Sequence, residues 1–254
     1  RNLEIEDSVM YDMATWSAPL AYNLAAYSTQ LGFGYGVETE EVTEAPAYQA
    51  QLNNPNAQYA YLINWRQRYA PRALALLWEK GYRVRAAREP FSDGERTYPA
   101  GTLIVLRGRN LEKAEAIETD MEAVAKEARV VIDGYDTGRM RKGYDLASTR
   151  NRPIRQPKVA LMIDEPFSEY TCGQIYFLFD QETRMPIERI RTGLMQQTAV
   201  PKFGSRYGLA DLNDYDVLIL ADGGNHLGKV FDKEKLAELK AWIQSGGVVV
   251  ATED

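Results

Sequence analysis

The stretch YDVLILADGG at residues 215–224 decides the fold of this chain. It is a short apolar run that ends in an acidic residue and two glycines. A second run of the same kind, GGVVVATED at residues 246–254, follows a segment with helical periodicity. Apolar runs joined by helices are typical of buried parallel strands in α/β proteins. Because ligands collect at the carboxyl ends of such strands, we expect a site near residues 222–226 and 252–254.

The pattern of apolar runs and turn residues divides the chain into four parts. These are an N-terminal helix and connector (1–57), a small α/β unit (58–135), a linker (136–156) and a second α/β domain (157–254). The β-α-β-β-α-β order of the small unit fits either a ferredoxin-like unit or an open α/β sheet. The second domain is predicted to be a three-layer αβα domain of flavodoxin-like type, with a parallel sheet between helices. The predicted fold class is therefore α/β.

Composition narrows the classes of function. The chain has 254 residues and a net charge of −6, and its pI is near 5.1. An acidic chain lacks the basic face that a nucleic-acid-binding protein needs. No apolar run is long enough to span a membrane. Cys172 is the single cysteine, so an intrachain disulfide framework and a multi-cysteine zinc site are excluded.

We expect the sequence to be a truncated fragment of a longer protein. The chain begins with arginine rather than methionine, and no signal-peptide pattern follows. The apolar run at residues 248–251 is predicted to be a core strand only three residues from the last one. A parallel sheet normally continues with a further helix that covers such a strand.

Several segments together resemble the class I glutamine amidotransferase-like domain, in the form found at the C-terminal end of secreted bacterial zinc carboxypeptidases of the carboxypeptidase A type. In the second domain they are PKVALMIDEPFSEYTCGQIYFLFDQ (157–181), YDVLILADGG (215–224) and LAELKAWIQSGGVVVATED (236–254). In the first half they are YDMATWSAPLAYNLAAY (11–27), AYLINWRQRYAPRALALLWEKGYRVRAA (60–87) and RTYPAGTLIVL (96–106). These segments are similar to the region that follows the peptidase domain in those enzymes.

The resemblance implies that the catalytic zinc lies outside this chain. The peptidases hold zinc with an H-x-x-E pair and a distant second histidine. This chain has one histidine, His226, and no H-x-x-E sequence. We therefore expect no cofactor in this chain and zinc in the peptidase domain of the parent protein, which would be its partner. The expected function is that of a non-catalytic accessory region, secreted or periplasmic as the resemblance implies.

The resemblance also implies a position for an amidotransferase nucleophile. Active family members place a cysteine on the sharp turn after the strand that matches residues 248–251, with a histidine as its partner. In this sequence Glu253 occupies that position. Gly223 and Gly224 match the glycine-containing loop whose backbone N–H groups face an oxyanion. A carboxylate cannot form the thioester of that reaction, so the loop is expected to be retained without its nucleophile.

An alternative enzyme hypothesis uses the chain's own thiol. Cys172 and His226 both follow predicted strands whose carboxyl ends lie on one edge of the sheet, and Asp222 is placed to orient the histidine. Such a set would give a thiol hydrolase or an amidotransferase-like activity. The other interpretation is an inert cysteine in the first turn of a packed helix.

A third hypothesis is a binding module for a small ligand or a cation at the same edge. The carboxylates placed there are Asp164, Glu165, Asp222, Glu253 and Asp254. Hard divalent cations prefer oxygen ligands of this kind. The candidate binding residues are Asp222, Gly223, Gly224 and Asn225. The competing interpretation is a set of acids that cap helices and face water.

The predicted linker carries a basic patch in an otherwise acidic chain. Its cations lie in RMRK at residues 139–142 and RNRPIR at residues 150–155. The patch is expected either to dock the peptidase domain or an anionic partner, or to be a solvated face of the linker.

Overall fold

A computed structural model describes residues 50–191, 211–223, 228 and 230–252. All of these residues belong to one compact unit, Ala47–Asp254. Most of the predicted N-terminal helix and connector, up to residue 49, lies outside the described residues. Within the part that is described, no helix has the length and apolar character needed to cross a membrane.

The described residues form helices and strands in an α/β arrangement, as predicted from the sequence. The helices are α1 (Ala70–Glu79), α2 (Ile117–Ala128), α3 (Glu169–Phe177) and α4 (Lys233–Gln244). The first strands are β1 (Gln51–Asn53), β2 (Ala60–Ile63), β3 (Val84–Ala86), β4 (Phe91–Ser92), β5 (Thr97–Tyr98) and β6 (Leu103–Leu106). The remaining strands are β7 (Val131–Tyr135), β8 (Arg152–Ile154), β9 (Val159–Ile163), β10 (Glu188–Arg191), β11 (Val217–Leu220) and β12 (Val248–Ala251).

Six strands form the first sheet, in the order β1-β7-β2-β6-β3-β8. The four central strands β7, β2, β6 and β3 pair antiparallel with one another. Together with α1 and α2 they have the connectivity of a ferredoxin-like unit, one of the two arrangements compatible with the sequence. Strand β1 adds to this unit parallel to β7, and β8 adds antiparallel to β3.

Each face of the first sheet is covered by a different structure. Helices α1 and α2 cover one face, because their apolar stripes are buried against it in a single cluster. The hairpin β4–β5 and a loop at residues 136–151 cover the other face. The largest residues of this second cluster are Leu62, Phe91, Tyr98, Ile104, Leu106, Met140 and Leu146. The sheet is therefore buried on both sides.

The second sheet is parallel, as predicted, with the order β10-β9-β11-β12. Its strand order matches the first four strands of a flavodoxin-like sheet. The order reverses between β9 and β11, so their carboxyl ends flank the crevice where ligands bind in such folds. Asp232 caps α4 by accepting hydrogen bonds from the backbone N–H groups of Glu234 and Lys235, and Gly246 with φ 112° follows its end.

Strand β12 forms where the sequence predicts it, but its predicted burial is wrong. Val248 is 50% exposed and Val250 is 43% exposed. Strand β12 lies at the sheet edge, where Val248 and Val250 share one face and Val249 on the other face packs against the core. Apolar composition predicts the strand, whereas its burial depends on which elements cover each face.

The segment predicted as a linker, residues 136–156, contains elements of the first sheet. Strand β8 lies within it and pairs with β3, with Pro153 opposite Arg85. Proline is tolerated in an edge strand because its missing N–H faces away from the sheet. The loop that precedes β8 packs on the sheet through Met140 and Leu146. This segment therefore belongs to the folded body of the first sheet.

Contacts near the end of α3 join the two sheets. The helix continues into a π-helix, Leu178–Thr183, and Met185 after it packs against the cluster beneath α1 and α2. Arg184 forms an ion pair with Glu127 of α2. Arg68 lies 3.8 Å from Glu182 between Nη2 and Oε2. The two sheets are thus connected by apolar packing and by ion pairs.

A second connection predicts a pH dependence of stability. Arg155 forms a two-pronged ion pair with Asp216, and the backbone N–H of Lys158 donates to Asp216 Oδ2 at 2.9 Å. The hydrogen bond from Arg155 is the main cause that lowers the pKa of Asp216 to about 2, and the Lys158 N–H adds to it. An unfolded aspartate has a pKa of about 3.9. The stabilisation is therefore complete above about pH 4 and is lost as the pH falls towards 2.

We expect Asp216→Asn to remove that contribution. Its free energy of unfolding should lie below that of the wild type at pH 6, and the difference should shrink as the pH falls from about 4 to about 2. Urea unfolding at a series of pH values measures this difference. A difference that stays constant over this range would contradict the role of the ion pair.

Candidate functional site

The carboxyl ends of β9 and β11 meet, as the sequence predicts. The backbone N–H of Ser168 donates to the carbonyl oxygen of Asp222 at 2.7 Å, which joins the turn after β9 to the turn after β11. Ser168 also begins α3, because its side chain accepts a hydrogen bond from the N–H of Thr171. Asp164 follows β9 with φ 70° and lies 3.5 Å from Arg191 Nη1 of β10 through Oδ2. Backbone contacts and an exposed ion pair contribute to holding this edge together.

Cys172 lies beneath this edge, buried in the core. Its side chain is 6% exposed and belongs to the apolar cluster between the second sheet and its helices. The thiol donates a hydrogen bond to the carbonyl oxygen of Met162 at 3.4 Å. Burial raises the pKa of the Cys172 thiol, and the nearby negative charge of Asp164 raises it further. These surroundings favour the protonated thiol, which is a poor nucleophile.

The other predicted site residues are only partly described. Asp222 is half-buried and Gly223 is buried. The candidates His226, Gly224, Asn225 and Glu253 lie outside the described residues, as does Asp254.

The described residues give no observation in favour of a metal site at this edge. Within residues 50–191, 211–223, 228 and 230–252, no three acidic, histidine or cysteine side chains come together as metal ligands do. Thr252 Oγ1, at the end of β12, is buried without a hydrogen-bond partner there. The cation hypothesis therefore stays a prediction.

Comparison with protein-family models, with curated protein sequences and with solved structures finds no significant match to this chain.

A group of exposed apolar side chains lies on α3, and the sequence patterns did not predict this surface. Tyr170 is 87% exposed, Phe177 is 56% exposed and Leu178, in the first turn of the π-helix, is 49% exposed. Tyr170 and Phe177 are two turns apart on the side of the helix opposite Cys172, and Leu178 lies beside Phe177. The exposed Gln174 lies between Tyr170 and Leu178. The sequence carried a signal for this surface, because the apolar residues of α3 are spread around the helix rather than gathered on one face.

Gly173 lies on the same exposed side of α3. A Cβ atom added there would meet no other atom within 4 Å. Glycine inside a helix costs about 0.5–1 kcal/mol relative to alanine. Among the described residues, no atom lies close enough to Gly173 to exclude a larger side chain, so packing does not explain the glycine. Together with Tyr170, Phe177 and Leu178, Gly173 forms what we name the α3 face.

A partly buried polar network on the first sheet was also not predicted from the sequence. Asp133 of β7 accepts hydrogen bonds from the Tyr98 hydroxyl at 2.8 Å and from Asn53 Nδ2 at 2.7 Å. The Tyr98 and Tyr135 hydroxyls are 3.0 Å apart, and Tyr135 donates to Asp93 at 2.5 Å. These hydrogen bonds tie the β4–β5 hairpin to β1 and β7.

The protonation states in this network suit a structural role. Burial raises the pKa of Tyr98 to about 12, and burial together with the Asp93 carboxylate raises the pKa of Tyr135. Burial alone would raise the pKa of Asp93, but the Arg96 backbone N–H and the Tyr135 hydroxyl lower it below its ordinary value. The tyrosines therefore remain donors and the aspartate remains an acceptor at neutral pH. No general base arises from this arrangement.

A small groove of about 330 Å³ lies at the opposite edge of the second sheet. Its lining residues include Leu212, Asn213, Trp242 and Ser245, which precede β11 and β12. They mark the amino-terminal ends of these strands, away from the edge where ligands bind in folds of this kind. We assign no chemistry to this groove.

Proposed function

We propose that this chain is a non-catalytic accessory region of a zinc carboxypeptidase of the carboxypeptidase A type, with the metal site formed by residues outside the chain. The observation that carries the proposal is the α3 face. A folded protein seldom leaves two aromatic side chains and a leucine exposed together on one helix unless the surface meets a partner. The partner on this proposal is the peptidase domain of the same protein.

The composition of the α3 face is that of a protein interface. Tyrosine and phenylalanine are enriched in the centres of interfaces, where they bury large areas at a small cost in side-chain entropy. Gly173 leaves space between Tyr170 and Phe177 for the close approach of a partner. Glu169 and Asp180 are exposed in the same helical segment and give the face an acidic rim. The docking surface of the peptidase domain is therefore expected to be apolar at its centre and basic around it.

The core position of Cys172 supports a non-catalytic function over a thiol hydrolase. A thiol nucleophile needs access to substrate and a lowered pKa. The chain has no other cysteine to take that role. On this proposal the chain is secreted or periplasmic together with its peptidase domain.

Binding to a separately produced peptidase domain tests the proposal. The test proteins are the zinc carboxypeptidase domains encoded in the same genome, titrated with this chain in a calorimeter. We expect the double variant Tyr170→Ser with Phe177→Ser to bind at least about tenfold more weakly, since buried aromatic residues dominate interface energies.

The matched control changes two exposed apolar residues of α4. Leu236 and Ile243 are also exposed, so Leu236→Ser with Ile243→Ser removes a similar apolar surface elsewhere. This control should bind like the wild type. Absence of binding to every peptidase domain, or equal weakening by the two double variants, would overturn the proposal. Circular dichroism checks that each variant is folded.

A further inference from the structure

The loop between β7 and β8, residues 136–151, has structural features that are common in binding loops. It contains no regular secondary structure, yet Met140 and Leu146 anchor it in the core on one face of the first sheet. A long irregular loop with its own core anchors is frequently functional.

Hydrogen bonds hold the shape of this loop. Asn151 is buried and donates through Nδ2 to the carbonyl oxygens of Asp145 at 3.1 Å and Leu146 at 3.2 Å. Arg85 Nη1 donates to the carbonyl oxygen of Ser148 at 3.1 Å. The N–H of Met140 donates to Asp145 Oδ1 at 2.8 Å. A loop fixed in this way loses little conformational freedom when a ligand binds.

A groove of about 750 Å³ lies between this loop and the residue that precedes β2. The residues that line it are Tyr59, Gly138, Arg139, Gly143, Tyr144, Asp145, Ala147 and Ser148. Gly138 is required for its shape, because a Cβ atom there would lie 2.2 Å from the Tyr59 ring. Tyr59 therefore rests against the backbone of Gly138. We name this cavity the loop groove.

The loop around this groove has a net positive charge although the chain as a whole is negative. Within residues 136–151, four cations outnumber two acids, Asp136 and Asp145, and Asp145 lines the groove. Arg139 lines it, and the Arg150 guanidinium lies 5.8 Å from the centre of the Tyr144 ring. Arg141 and Lys142 are exposed in the same loop. In the part of the chain that the structure describes, none of these four cations forms an ion pair. Their charge is available to a ligand.

We propose that the loop groove binds an acidic peptide segment. Arg139 and Arg150 pair with carboxylates of the peptide, because guanidinium groups bind carboxylates through two parallel hydrogen bonds. Tyr59 and Tyr144 contact the peptide between these carboxylates, in the way that tyrosines serve other peptide-binding and antigen-binding surfaces. This binding goes beyond the proposed docking function, since it uses none of the residues of the α3 face.

Size and net charge favour a peptide over other anions. A groove of about 750 Å³ that is largely open to solvent fits an extended chain lying along it better than a single phosphate or carboxylate, which would fill a small part of it. A nucleic acid needs a basic face that extends over many phosphates, whereas the cations here lie within one loop of an acidic chain. In a short acidic peptide, a few carboxylates can all lie close to the cations of this loop.

Fluorescence anisotropy with a labelled hexaglutamate peptide tests the proposal. We expect saturable binding that weakens with added salt, and at least about tenfold weaker binding for Arg139→Glu with Arg150→Glu. Tyr144→Ser leaves the charge unchanged and should weaken binding several-fold, because it removes the aromatic contact. Circular dichroism confirms that each variant remains folded.

A matched double variant separates the groove from overall charge. Lys126 and Lys240 are exposed on α2 and α4, so Lys126→Glu with Lys240→Glu makes the same change in net charge elsewhere. This control should alter affinity by less than about threefold. Hexalysine should not bind, and a single-stranded oligonucleotide with six phosphates should bind more weakly than hexaglutamate. Absence of hexaglutamate binding, equal weakening by both double variants, or tighter binding of the oligonucleotide would overturn the proposal.

Discussion

Replacing Gly134 with alanine should lower the free energy of unfolding by about 3 kcal/mol, because the new methyl group has no space. Gly134 lies in β7, and a Cβ atom there would lie 2.1 Å from the carbonyl oxygen of Asn54 and 2.7 Å from the Cβ of Ala57. The first of these atoms belongs to the backbone, so no change of rotamer relieves the overlap. Urea unfolding followed by circular dichroism measures the loss.

Gly108→Ala is the control for this prediction. Gly108 is exposed, and a Cβ atom there would meet no other atom within 4 Å. Its free energy of unfolding should stay within about 0.5 kcal/mol of the wild-type value. Equal stabilities of the Gly134→Ala and Gly108→Ala variants would show that β1 and β7 are not packed as described.

Iodoacetamide should modify Cys172 at least about a hundredfold more slowly in the native protein than in the unfolded chain, since reaction requires an exposed thiolate. The native thiol is buried, donates to Met162 and has a raised pKa. Because Cys172 is the single cysteine, mass spectrometry of the intact chain follows the reaction directly. Rapid modification without denaturant, with loss of a hydrolase activity, would support the thiol enzyme hypothesis instead.

Strand positions in the second domain could be predicted because they depend on local composition. The apolar run before Asp222 is β11, and the stop of α4 at Gly246 follows from a backbone angle that glycine adopts easily. Burial of β12 could not be predicted, since the exposure of Val248 and Val250 depends on elements far away in sequence. Composition does not record which face of a strand is covered.

The first sheet shows a different limit of sequence patterns. Residues 136–156 have few apolar residues and contain Pro153, which is typical of a linker, yet β8 pairs there through backbone groups rather than through an apolar pattern. Asn110 has a residue type that favours helix caps, but it is fully buried and bonds to Arg83 and Leu106. Helix α2 begins only at Ile117, after two 3-10 turns. The structural role of a polar residue is hard to predict when its hydrogen-bond partner lies far away in the sequence.

The meeting of two strand ends could be predicted from the sequence, whereas the burial of Cys172 and the exposure of the α3 face could not. The meeting of Ser168 and Asp222 follows from the rule that parallel strands end at one edge. The depth of Cys172 depends on how far α3 rotates against the sheet, which the spacing of residues does not fix. The exposure of Tyr170 and Phe177 depends on the absence of a covering element over α3 among the described residues.

The contacts around Arg184 and Met185 bear on how the two sheets unfold. Because ion pairs and apolar packing join the sheets, we expect them to unfold as one cooperative unit, in which loss of one sheet removes support from the other. A substitution at Gly134 in the first sheet would then accelerate alkylation of Cys172 in the second, by about a hundredfold if opening is global. The buried thiol thus serves as an internal reporter of cooperativity between the two halves.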